Sequence, residues 1–332
     1  MEIKFNIIGS TGIIVLNRPK ALNALNLSMA EQFSDKLKEW QENDKIERVL
    51  LRGEGNHFCA GGDVKSVHLS GKHSELKRDF FSKEYALNLQ IKNFSKPYLS
   101  IWKGVVMGGG VGLSIYGDYR VTTGSTKFAM PETSIGFFTD VGGSFFLSKL
   151  ENNIGKYLGL TSEVINSKDL LKFGLATHYC PENKLNEFIN DYISNGTITD
   201  YETTMTSLFS NEKLNFVNKN FSGNIFDIFN NLHNSNDPHQ ILNKLKNKCP
   251  MSMAITAMLI ENSRNKTLKE CLESEYNLSQ KMTNRSDFGE GIEAVLVRKH
   301  HNPNWQPGSI EEIDRNELEN IFASPIENKL VL

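Results

Sequence analysis

The sequence predicts an α/β fold followed by a helical C-terminal region. Over residues 1–150, short apolar strand patterns alternate with helical patterns, and this alternation is typical of an α/β core. After about residue 185 the strand patterns stop and helical stretches follow one another. We therefore expect a core domain at residues 1–185, and a helical region with an extended tail at residues 186–332.

The elements of the core follow from local patterns. Residues 3–8 and 13–16 flank a Gly-Ser-Thr-Gly loop and predict a β-hairpin. Ser28, with Glu31 three positions later, has the pattern of a capping box, so a helix is expected from there to about Asn43. Apolar runs and helical periodicity predict the remaining core elements: strands at residues 48–52, 98–102 and 119–122, and helices at residues 74–93 and 108–117.

The C-terminal region is predicted to be helical over most of its length. Asn is frequent at residues 211–247, but Phe, Leu and Ile recur there at helical spacing, which favours a solvated helical subdomain over a low-complexity segment. The tail, which contains Pro303, Trp305 and Pro307, is expected to be extended. The predicted helices lie at residues 184–194, 200–209, 224–233, 238–247, 251–263, 267–284 and 287–297.

Charge and composition exclude several classes of function. The 37 Lys and Arg residues balance 39 Asp and Glu residues, for a net charge of −2, so no nucleic-acid partner is expected. No run approaches the roughly 18–20 apolar residues that a membrane-spanning helix needs, so no membrane partner is expected. The four cysteines form no CxxC pair and have no His at zinc spacing, which predicts reduced thiols and no metal site.

The N-terminal residues help to predict the cellular compartment of the protein. Residues 1–8 enter a strand pattern directly, with an early acidic residue and no apolar signal-peptide core. We therefore expect a cytoplasmic protein. The mitochondrial matrix stays open for a precursor whose leader has been removed.

The first candidate site is the glycine-rich stretch Asn-His-Phe-Cys-Ala-Gly-Gly-Asp-Val at residues 56–64, which follows a predicted strand and precedes a short helix. Gly61 and Gly62 allow backbone N–H groups to face a ligand without obstruction by a Cβ atom. Asp63 is expected to cap the helix that follows. The alternative is a simple turn between a strand and a helix.

The second candidate site is the stretch Gly-Val-Val-Met-Gly-Gly-Gly-Val-Gly-Leu at residues 104–113, at the start of a predicted helix. Free N–H groups at such a position stabilise an anion. The stretch lacks the Gly-Lys-Ser/Thr of a P-loop and does not have the spacing of a dinucleotide-binding loop. Together, the two glycine-rich stretches could supply an oxyanion hole for a thioester carbonyl.

The third candidate site is the segment at residues 128–143, which contains two carboxylates, Glu132 and Asp140, among apolar residues and glycines. An apolar environment raises the pKa of a carboxyl group and suits it to acid, base or nucleophilic chemistry. The alternative is a pair of acids that cap helices or form salt bridges.

Together, the motifs FCAGGD, MGGGVGLS and MPET resemble those of the crotonase (enoyl-CoA hydratase/isomerase) superfamily, which binds acyl-CoA thioesters. The resemblance extends over essentially the whole chain. It implies a crotonase-like spiral of ββα units that binds acyl-CoA, followed by a helical C-terminal region. It also implies that the N–H groups of Gly62 and Gly109 are the oxyanion donors.

Within the superfamily, the sequence departs from the hydratases. Hydratases carry one catalytic Glu two residues after the last Gly of the GGG motif, where this chain has Gly112, and a second in a Pro-Glu motif, which Glu132 supplies. Asp140 stands where hydratases have Gly. The segment around Glu132 and Asp140 resembles the 3-hydroxyisobutyryl-CoA hydrolase branch. So do Phe81 to Tyr85 upstream and the later motifs DFGEGIEAVL and NWQP.

This resemblance implies hydrolysis of a short β-hydroxyacyl-CoA thioester, namely 3-hydroxyisobutyryl-CoA to 3-hydroxyisobutyrate and CoA, as in valine catabolism. It implies Glu84, Gly109, Glu132 and Asp140 as substrate-binding residues, and Gly62, Gly109, Glu132 and Asp140 as catalytic residues. Glu132 either attacks the thioester or activates water. Asp140 either assists proton transfer or holds the 3-hydroxyl group. Glu84 either binds substrate or orients Glu132.

Several alternatives stay open. One is hydratase or isomerase activity, which Gly112 disfavours. Another is a non-catalytic acyl-CoA-binding protein, which the presence of Glu132 and Asp140 disfavours. The expected partner is a small acyl-CoA, and no cofactor is expected because CoA is part of the substrate. A homo-oligomer also stays open: crotonases often form trimers, but the tail with Trp305 could occupy the pairing surface.

Overall fold

The computed structural model describes residues 1–71, 74–237, 239–324 and 330. The chain forms two compact units, each built from three separate segments. The sheet unit comprises Met1–Asp63, Ala86–Ala129 and Val164–Leu208, and the helical unit comprises Val64–Tyr85, Met130–Glu163 and Phe209–Leu332. The sequence suggests a single division at residue 185, and that domain boundary stays a prediction.

The secondary structure is dominated by helices. The strands are β1 Ile3–Ile8, β2 Thr11–Leu16, β3 Arg48–Gly53, β4 Tyr98–Trp102, β5 Val105–Met107, β6 Tyr119–Thr122, β7 Lys127–Ala129 and β8 His178–Tyr179. The helices are α1 Leu27–Glu42, α2 Val64–Leu69, α3 Leu76–Lys92, α4 Gly109–Gly112, α5 Gly143–Leu147, α6 Ile154–Thr161, α7 Ser167–Lys172, α8 Leu185–Asn195, α9 Asn211–Asn220, α10 Ile225–His233, α11 Ile241–Lys246, α12 Pro250–Asn262, α13 Leu268–Met282, α14 Ser286–Ile292 and α15 Arg315–Ala323.

The sheet unit is built on a six-stranded sheet with the order β1-β2-β3-β4-β6-β8. Strands β1 and β2 form the predicted antiparallel hairpin, and every other neighbouring pair in this sheet is parallel. The predicted strands at β3, β4 and β6 are confirmed, because buried parallel strands appear as continuous apolar runs. Strands β5 and β7, which form a second small sheet, and β8 were missed because two or three residues are too few to show a pattern.

Helix α8 covers one face of the sheet. Its Leu185, Phe188 and Tyr192 belong to one buried cluster with Leu50 of β3 and Leu99 of β4. The Tyr192 hydroxyl donates a hydrogen bond to the Val49 carbonyl at 3.2 Å. This helix was expected to start the helical C-terminal region, and its packing places it in the sheet unit.

The start of helix α1 differs from the prediction. The N-cap is Asn26, whose extended backbone lets its side-chain oxygen accept a hydrogen bond from the Met29 N–H at 2.9 Å. Ser28 lies inside the helix, where its hydroxyl accepts from the Gln32 side chain. The predicted capping box at Ser28 is therefore wrong, whereas the predicted end of the helix near Asn43 is confirmed.

Two further helix predictions are wrong, one in its length and one in its existence. The helix expected at residues 108–117 is only the single turn of α4, because its glycines favour the helical conformation weakly. Residues 200–209 form no helix. There the Ser207 hydroxyl and the Leu208 N–H both donate to the carboxylate of Asp169, at 2.5 and 3.1 Å, and hold the segment in an irregular course.

The helical unit contains the long C-terminal helices. The predictions at residues 224–233, 251–263, 267–284 and 287–297 are confirmed by α10, α12, α13 and α14, the last continuing as a π-helical turn at Glu293–Val297. Helix α9, which begins at the Ser210 N-cap, was not predicted. The tail is irregular at residues 299–314 and then forms α15. Across residues 1–71, 74–237 and 239–324, none of the helices combines the length and apolar character needed to cross a membrane.

Candidate active site

The two glycine-rich loops predicted as oxyanion donors lie side by side in the sheet unit. The Met107 N–H donates to the Cys59 carbonyl at 3.0 Å and joins one loop to the other. A Cβ atom placed on Gly61 would lie 3.6 Å from the Gly109 nitrogen. In the part of the chain that the structure describes, neither the Gly62 nor the Gly109 N–H donates to a protein acceptor.

The close approach of these loops requires glycine. A Cβ atom on Gly110 would lie 2.5 Å from the Cys59 carbonyl oxygen, far inside van der Waals contact. Gly108 has a φ of +48°, in the left-handed region that other residues adopt with difficulty. The glycines of the GGG motif therefore bring the backbone of α4 against the Cys59 loop and leave the Gly109 N–H available to a ligand.

Three predicted acidic residues come together in the helical unit from separate segments. Glu84 lies on α3, Glu132 begins a 3₁₀ turn at Glu132–Ile135, and Asp140 lies in the loop that follows. Their side chains are buried, with 2%, 5% and 5% of their surface exposed. They are close enough that the negative charges of Asp140 and Glu132 both act on Glu84.

Burial sets the protonation of this group. It raises the pKa of Glu84 and of Glu132 well above the ordinary value, and the negative charge of Asp140 adds to both shifts. Burial also raises the pKa of Asp140 to about 7. Carboxylates that are buried together cannot all ionise without repulsion, so this group holds its protons to a higher pH than exposed carboxyl groups do.

Two oxygen atoms of the acidic group have no protein partner. Oε1 of Glu84 and Oε2 of Glu132 are fully buried, and neither has a hydrogen-bond partner among the described residues. A buried polar atom without a partner costs free energy, and such atoms are rare unless they have a function. Both oxygens therefore have hydrogen-bonding capacity that no described residue fills.

Tyr85 is a site residue that the sequence did not single out for a role. Its hydroxyl is buried and donates a hydrogen bond to Oδ2 of Asp140 at 2.7 Å. This bond favours the ionised form of Asp140 and acts against the effect of burial on the pKa of that residue. The residue was visible only as part of the motif that contains Glu84.

Glu275 was missed altogether. It is completely buried on α13, and its carboxylate accepts three hydrogen bonds: from the Gly142 N–H at 2.6 Å, the Ser144 N–H at 3.1 Å and the Ser144 hydroxyl at 2.6 Å. The sequence feature that could have indicated Glu275 is its position on the buried face of the helix, at helical spacing from Leu268, Leu272 and Met282. An acidic residue on an apolar helical face needs a partner, and here the partner is the segment after Asp140.

The C-terminal motif DFGEG fixes the turn that contains Glu132. A Cβ atom on Gly291 would lie 2.3 Å from the carbonyl carbon of Ile135, and one on Gly136 would lie 2.1 Å from the Asp287 carbonyl oxygen. Gly136 also has a φ of +70°. Glycine at these two positions lets α14 pack directly on the turn that begins with Glu132, which gives this motif a structural role.

The motif NWQP is fastened to the same helix. The Gln306 N–H donates to Oδ1 of Asp287 at 2.7 Å, and the Asn304 N–H donates to Oε1 of Glu290 at 2.8 Å. These two hydrogen bonds hold the tail against α14. Helix α14 in turn packs on the turn that begins with Glu132.

Aromatic side chains from the segments that carry the acidic group pack on one another. Phe81, one helical turn before Glu84 and Tyr85, stacks on Phe137 with ring centroids 5.3 Å apart. Phe137 in turn contacts Phe138 at 4.5 Å and Phe288 at 5.7 Å. The raised pKa values of the three carboxyl groups come first from burial and, for Glu84 and Glu132, also from the negative charge of Asp140.

The described parts of the chain thus supply two kinds of polar groups. The sheet unit presents the N–H groups of Gly62 and Gly109, and the helical unit presents Glu84, Glu132 and Asp140. Gly112, where hydratases have a catalytic Glu, is a buried residue of α4. N–H donors stabilise the oxyanion of an acyl-transfer reaction, and a partly protonated group of acids can move protons. The expectation that no metal or separate cofactor is needed stays a prediction.

Comparison with known proteins agrees with these features. Residues 11–322 match the enoyl-CoA hydratase/isomerase family model. The mitochondrial 3-hydroxyisobutyryl-CoA hydrolase of Xenopus laevis is 39% identical over 95% of this chain and 87% of its own length. The solved structure of a carnitinyl-CoA dehydratase from Mycobacterium thermoresistibile matches with a TM-score of 0.92 at 32% identity, over 99% of this chain and 98% of that one. An enoyl-CoA hydratase structure from Rhodobacter sphaeroides matches with a TM-score of 0.94 at 28% identity, over the full length of both chains.

Proposed function

Because the chain belongs to the enoyl-CoA hydratase/isomerase family, we propose that it hydrolyses the thioester of 3-hydroxyisobutyryl-CoA, releasing 3-hydroxyisobutyrate and CoA. The observation that carries the proposal is the buried acidic group of Glu84, Glu132 and Asp140. Among the described residues, no Lys, Arg or His forms a salt bridge with any of the three. The name of the Xenopus laevis relative supports the choice of substrate.

The first part of the mechanism is stabilisation of the oxyanion. We assign this role to the N–H groups of Gly62 and Gly109, which lie on adjoining loops and donate to no described protein acceptor. They would bind the thioester oxygen and hold the negative charge that develops on it when the carbonyl carbon is attacked. One such donor is typically worth on the order of 10²–10³ in rate.

The second part is attack on the carbonyl carbon, which we assign to Glu132. Its unpartnered Oε2 either attacks directly, forming a mixed anhydride as the CoA sulfur leaves, or takes a proton from an attacking water molecule. In the first route water then hydrolyses the anhydride and regenerates the carboxylate. Both routes require Glu132 to be ionised when it reacts, and the neighbouring acids can take up the proton that it gives up.

The third part concerns Asp140 and Glu84. Asp140, with a pKa of about 7, is partly protonated at neutral pH and can donate a proton to the leaving CoA thiolate or bind the 3-hydroxyl group. Glu84 has a raised pKa and an unpartnered Oε1. It therefore fits a role in binding a polar group of the substrate or in orienting Glu132.

A second candidate function is hydration of an enoyl-CoA, since one similar solved structure is titled an enoyl-CoA hydratase. Hydration needs a pair of groups that deliver water to a carbon–carbon double bond. Gly112 leaves the position of the first hydratase Glu without a carboxylate. We therefore rank hydration below hydrolysis.

The test is a turnover screen on purified protein. Free CoA is followed with a thiol reagent during incubation with 3-hydroxyisobutyryl-CoA and isobutyryl-CoA, and enoyl absorbance is followed with crotonyl-CoA. The proposal predicts CoA release that is fastest with the 3-hydroxy thioester, with little or no loss of enoyl absorbance. Hydration of crotonyl-CoA at a rate equal to or above that of hydrolysis would overturn it.

The compartment and the assembly belong to the same proposal. The Xenopus laevis relative carries the word mitochondrial in its name, which favours the matrix over the cytoplasm as the place where this chain acts. Acyl-CoA is the proposed small-molecule partner. A homo-oligomer stays a prediction that sedimentation of the purified protein would test.

A further inference from the structure

Glu275 is a buried acidic residue that the proposed mechanism does not use. It lies on α13, far in sequence from the motifs that carry Glu84, Glu132 and Asp140. Its side chain has no measurable exposure, so it is shielded from solvent. All three of its hydrogen bonds come from Gly142 and Ser144, which lie two and four residues after Asp140. Such a specific set of contacts needs an explanation beyond packing.

The segment that Glu275 holds has an unfavourable backbone conformation. Val141 has a φ of +54° and Gly142 a φ of +75°, and the turn closes with a hydrogen bond from the Gly143 N–H to the Asp140 carbonyl at 2.7 Å. A β-branched residue in the left-handed region is strained and persists only when its surroundings enforce it. The Glu275 carboxylate binds the two N–H groups on the far side of Val141 and so enforces this turn.

The turn determines where the Asp140 side chain points. Asp140 is its first residue, and the side-chain Oδ2 receives the hydrogen bond from the Tyr85 hydroxyl. A relaxed Val141 would rotate the Asp140 peptide and draw the carboxyl group away from Tyr85. Asp140 is thus held from two sides, by Tyr85 at the side chain and by Glu275 through the backbone that follows.

We propose that Glu275 is a positioning residue that acts through Asp140: by clamping Gly142 and Ser144 it maintains the left-handed turn that places the Asp140 carboxyl group for the reaction. The proposal rests on the proposed function, in which Asp140 has a chemical role. It assigns Glu275 no contact with substrate.

The test is a double-mutant cycle. Glu275→Gln keeps the size of the side chain but replaces one accepting oxygen with an NH₂ group, so one side of the clamp is lost. We expect kcat for CoA release from 3-hydroxyisobutyryl-CoA to fall about 10- to 100-fold, the cost of a misplaced reacting group. In an Asp140→Asn background the same substitution should change kcat by less than about twofold, because the residue it positions is already disabled. Glu273→Gln, an exposed position on the same helix, is the matched control.

Two further measurements distinguish failure of this inference from failure of the proposed function. Amide hydrogen exchange at Gly142 and Ser144 should be faster in Glu275→Gln and unchanged in Glu273→Gln. Ser144→Ala, which removes only the hydroxyl contact, should give a smaller effect in the same direction and serves if Glu275→Gln does not fold. Equal losses of kcat in both backgrounds, or no loss in either, would overturn the inference. If the wild-type protein releases no CoA, the proposed function fails, and unchanged exchange in the variants would overturn the clamp itself.

Discussion

Glu132 and Glu163 are both glutamates of the helical unit, yet their surroundings are opposite. Glu163 accepts hydrogen bonds from Lys213 at 3.0 Å, from Lys244 at 2.6 Å and from the Tyr157 hydroxyl. Glu132 is buried and feels the negative charges of other acids, and its Oε2 has no partner among the described residues. The same residue type therefore has its hydrogen-bonding capacity filled at Glu163 and partly unfilled at Glu132.

The pKa values follow this contrast. Burial alone would raise the pKa of Glu163, but the hydrogen bonds from Lys244, Tyr157 and Lys213 outweigh it and hold that pKa below the ordinary value. Burial raises the pKa of Glu132, and the charge of Asp140 raises it further. A carboxylate that is paired with cations stabilises the fold. A carboxyl group that retains its proton in an apolar setting can exchange that proton during a reaction.

The largest expected effect separates these two glutamates by activity. Glu132→Gln should lower kcat for thioester hydrolysis by at least about 10²-fold, because an amide can act neither as nucleophile nor as general base. Glu163→Gln is the matched control, with the same chemical change at a residue that we assign to structure. CoA release measured for both variants checks this. Residual turnover above about a tenth of wild type in Glu132→Gln would show that the acidic group is not the reactive one.

The second-largest expected effect tests whether hydrolysis needs the proposed oxyanion hole in addition to the acidic group. Gly109→Pro removes the N–H that we assign to the oxyanion hole, at the start of a helix where the φ of proline is tolerated. We expect a loss of kcat on the order of 10²–10³, while Gly109→Ala, which keeps the N–H, should lose less. Circular dichroism establishes that both variants fold. A folded Gly109→Pro variant with normal kcat would remove Gly109 from the mechanism.

A smaller effect concerns the 3-hydroxyl group. If Asp140 binds it, Asp140→Ala should narrow the ratio of kcat/KM between 3-hydroxyisobutyryl-CoA and isobutyryl-CoA by about 10- to 100-fold, the worth of a hydrogen bond to a charged group. Both substrates are measured with both proteins. Equal slowing on the two substrates would mean that Asp140 serves proton transfer and does not recognise the hydroxyl.

The smallest expected effect is on stability, and its sign differs between the two glutamates. The pKa of Glu132 is higher in the folded chain than in the unfolded chain, so its contribution to stability is lost as pH rises above the unfolded value of 4.5. The pKa of Glu163 is lower in the folded chain, so its contribution is present above 4.5 and is lost as pH falls through the folded value.

The pH dependence of these two contributions is checked by urea unfolding. The unfolding midpoints of both variants are compared with that of wild type at pH values from about 4 to 8. Glu132→Gln should become more stable than wild type as pH rises. Glu163→Gln should be less stable than wild type near neutral pH, and this deficit should shrink as pH falls. Parallel curves for the two variants would show that their surroundings do not differ as described.

The sequence predicted the parts of the fold that depend on continuous local patterns. The hairpin, the buried strands β3, β4 and β6, and the helices α10 and α12 to α14 appear where their apolar patterns place them. The cap of α1 was misplaced because Ser28 and Asn26 are both good N-cap residues, and only the backbone at Asn26 decides between them. Residues 200–209 were misassigned because their course depends on Asp169, a distant partner.

The same distinction holds for the site. Gly62, Gly109, Glu84, Glu132 and Asp140 lie in motifs with recognisable spacing, and the structure groups the glycines in one unit and the acids in the other. Tyr85 and Glu275 have roles that depend on contacts to Asp140 and to the turn after it, which no local pattern reveals. In the sequence, Tyr85 stands out only as part of the motif that contains Glu84, and Glu275 only by its spacing from the apolar residues of its helix.

We expect the acidic group of Glu84, Glu132 and Asp140 to retain protons at neutral pH, and Glu163 to be ionised there. Infrared difference spectra between wild type and each Gln variant test it directly, since protonated and ionised carboxyl groups absorb separately. We predict that Glu132→Gln removes absorption of a protonated carboxyl group at neutral pH, while Glu163→Gln removes only that of a carboxylate. Loss of carboxylate absorption alone in both variants would contradict the account.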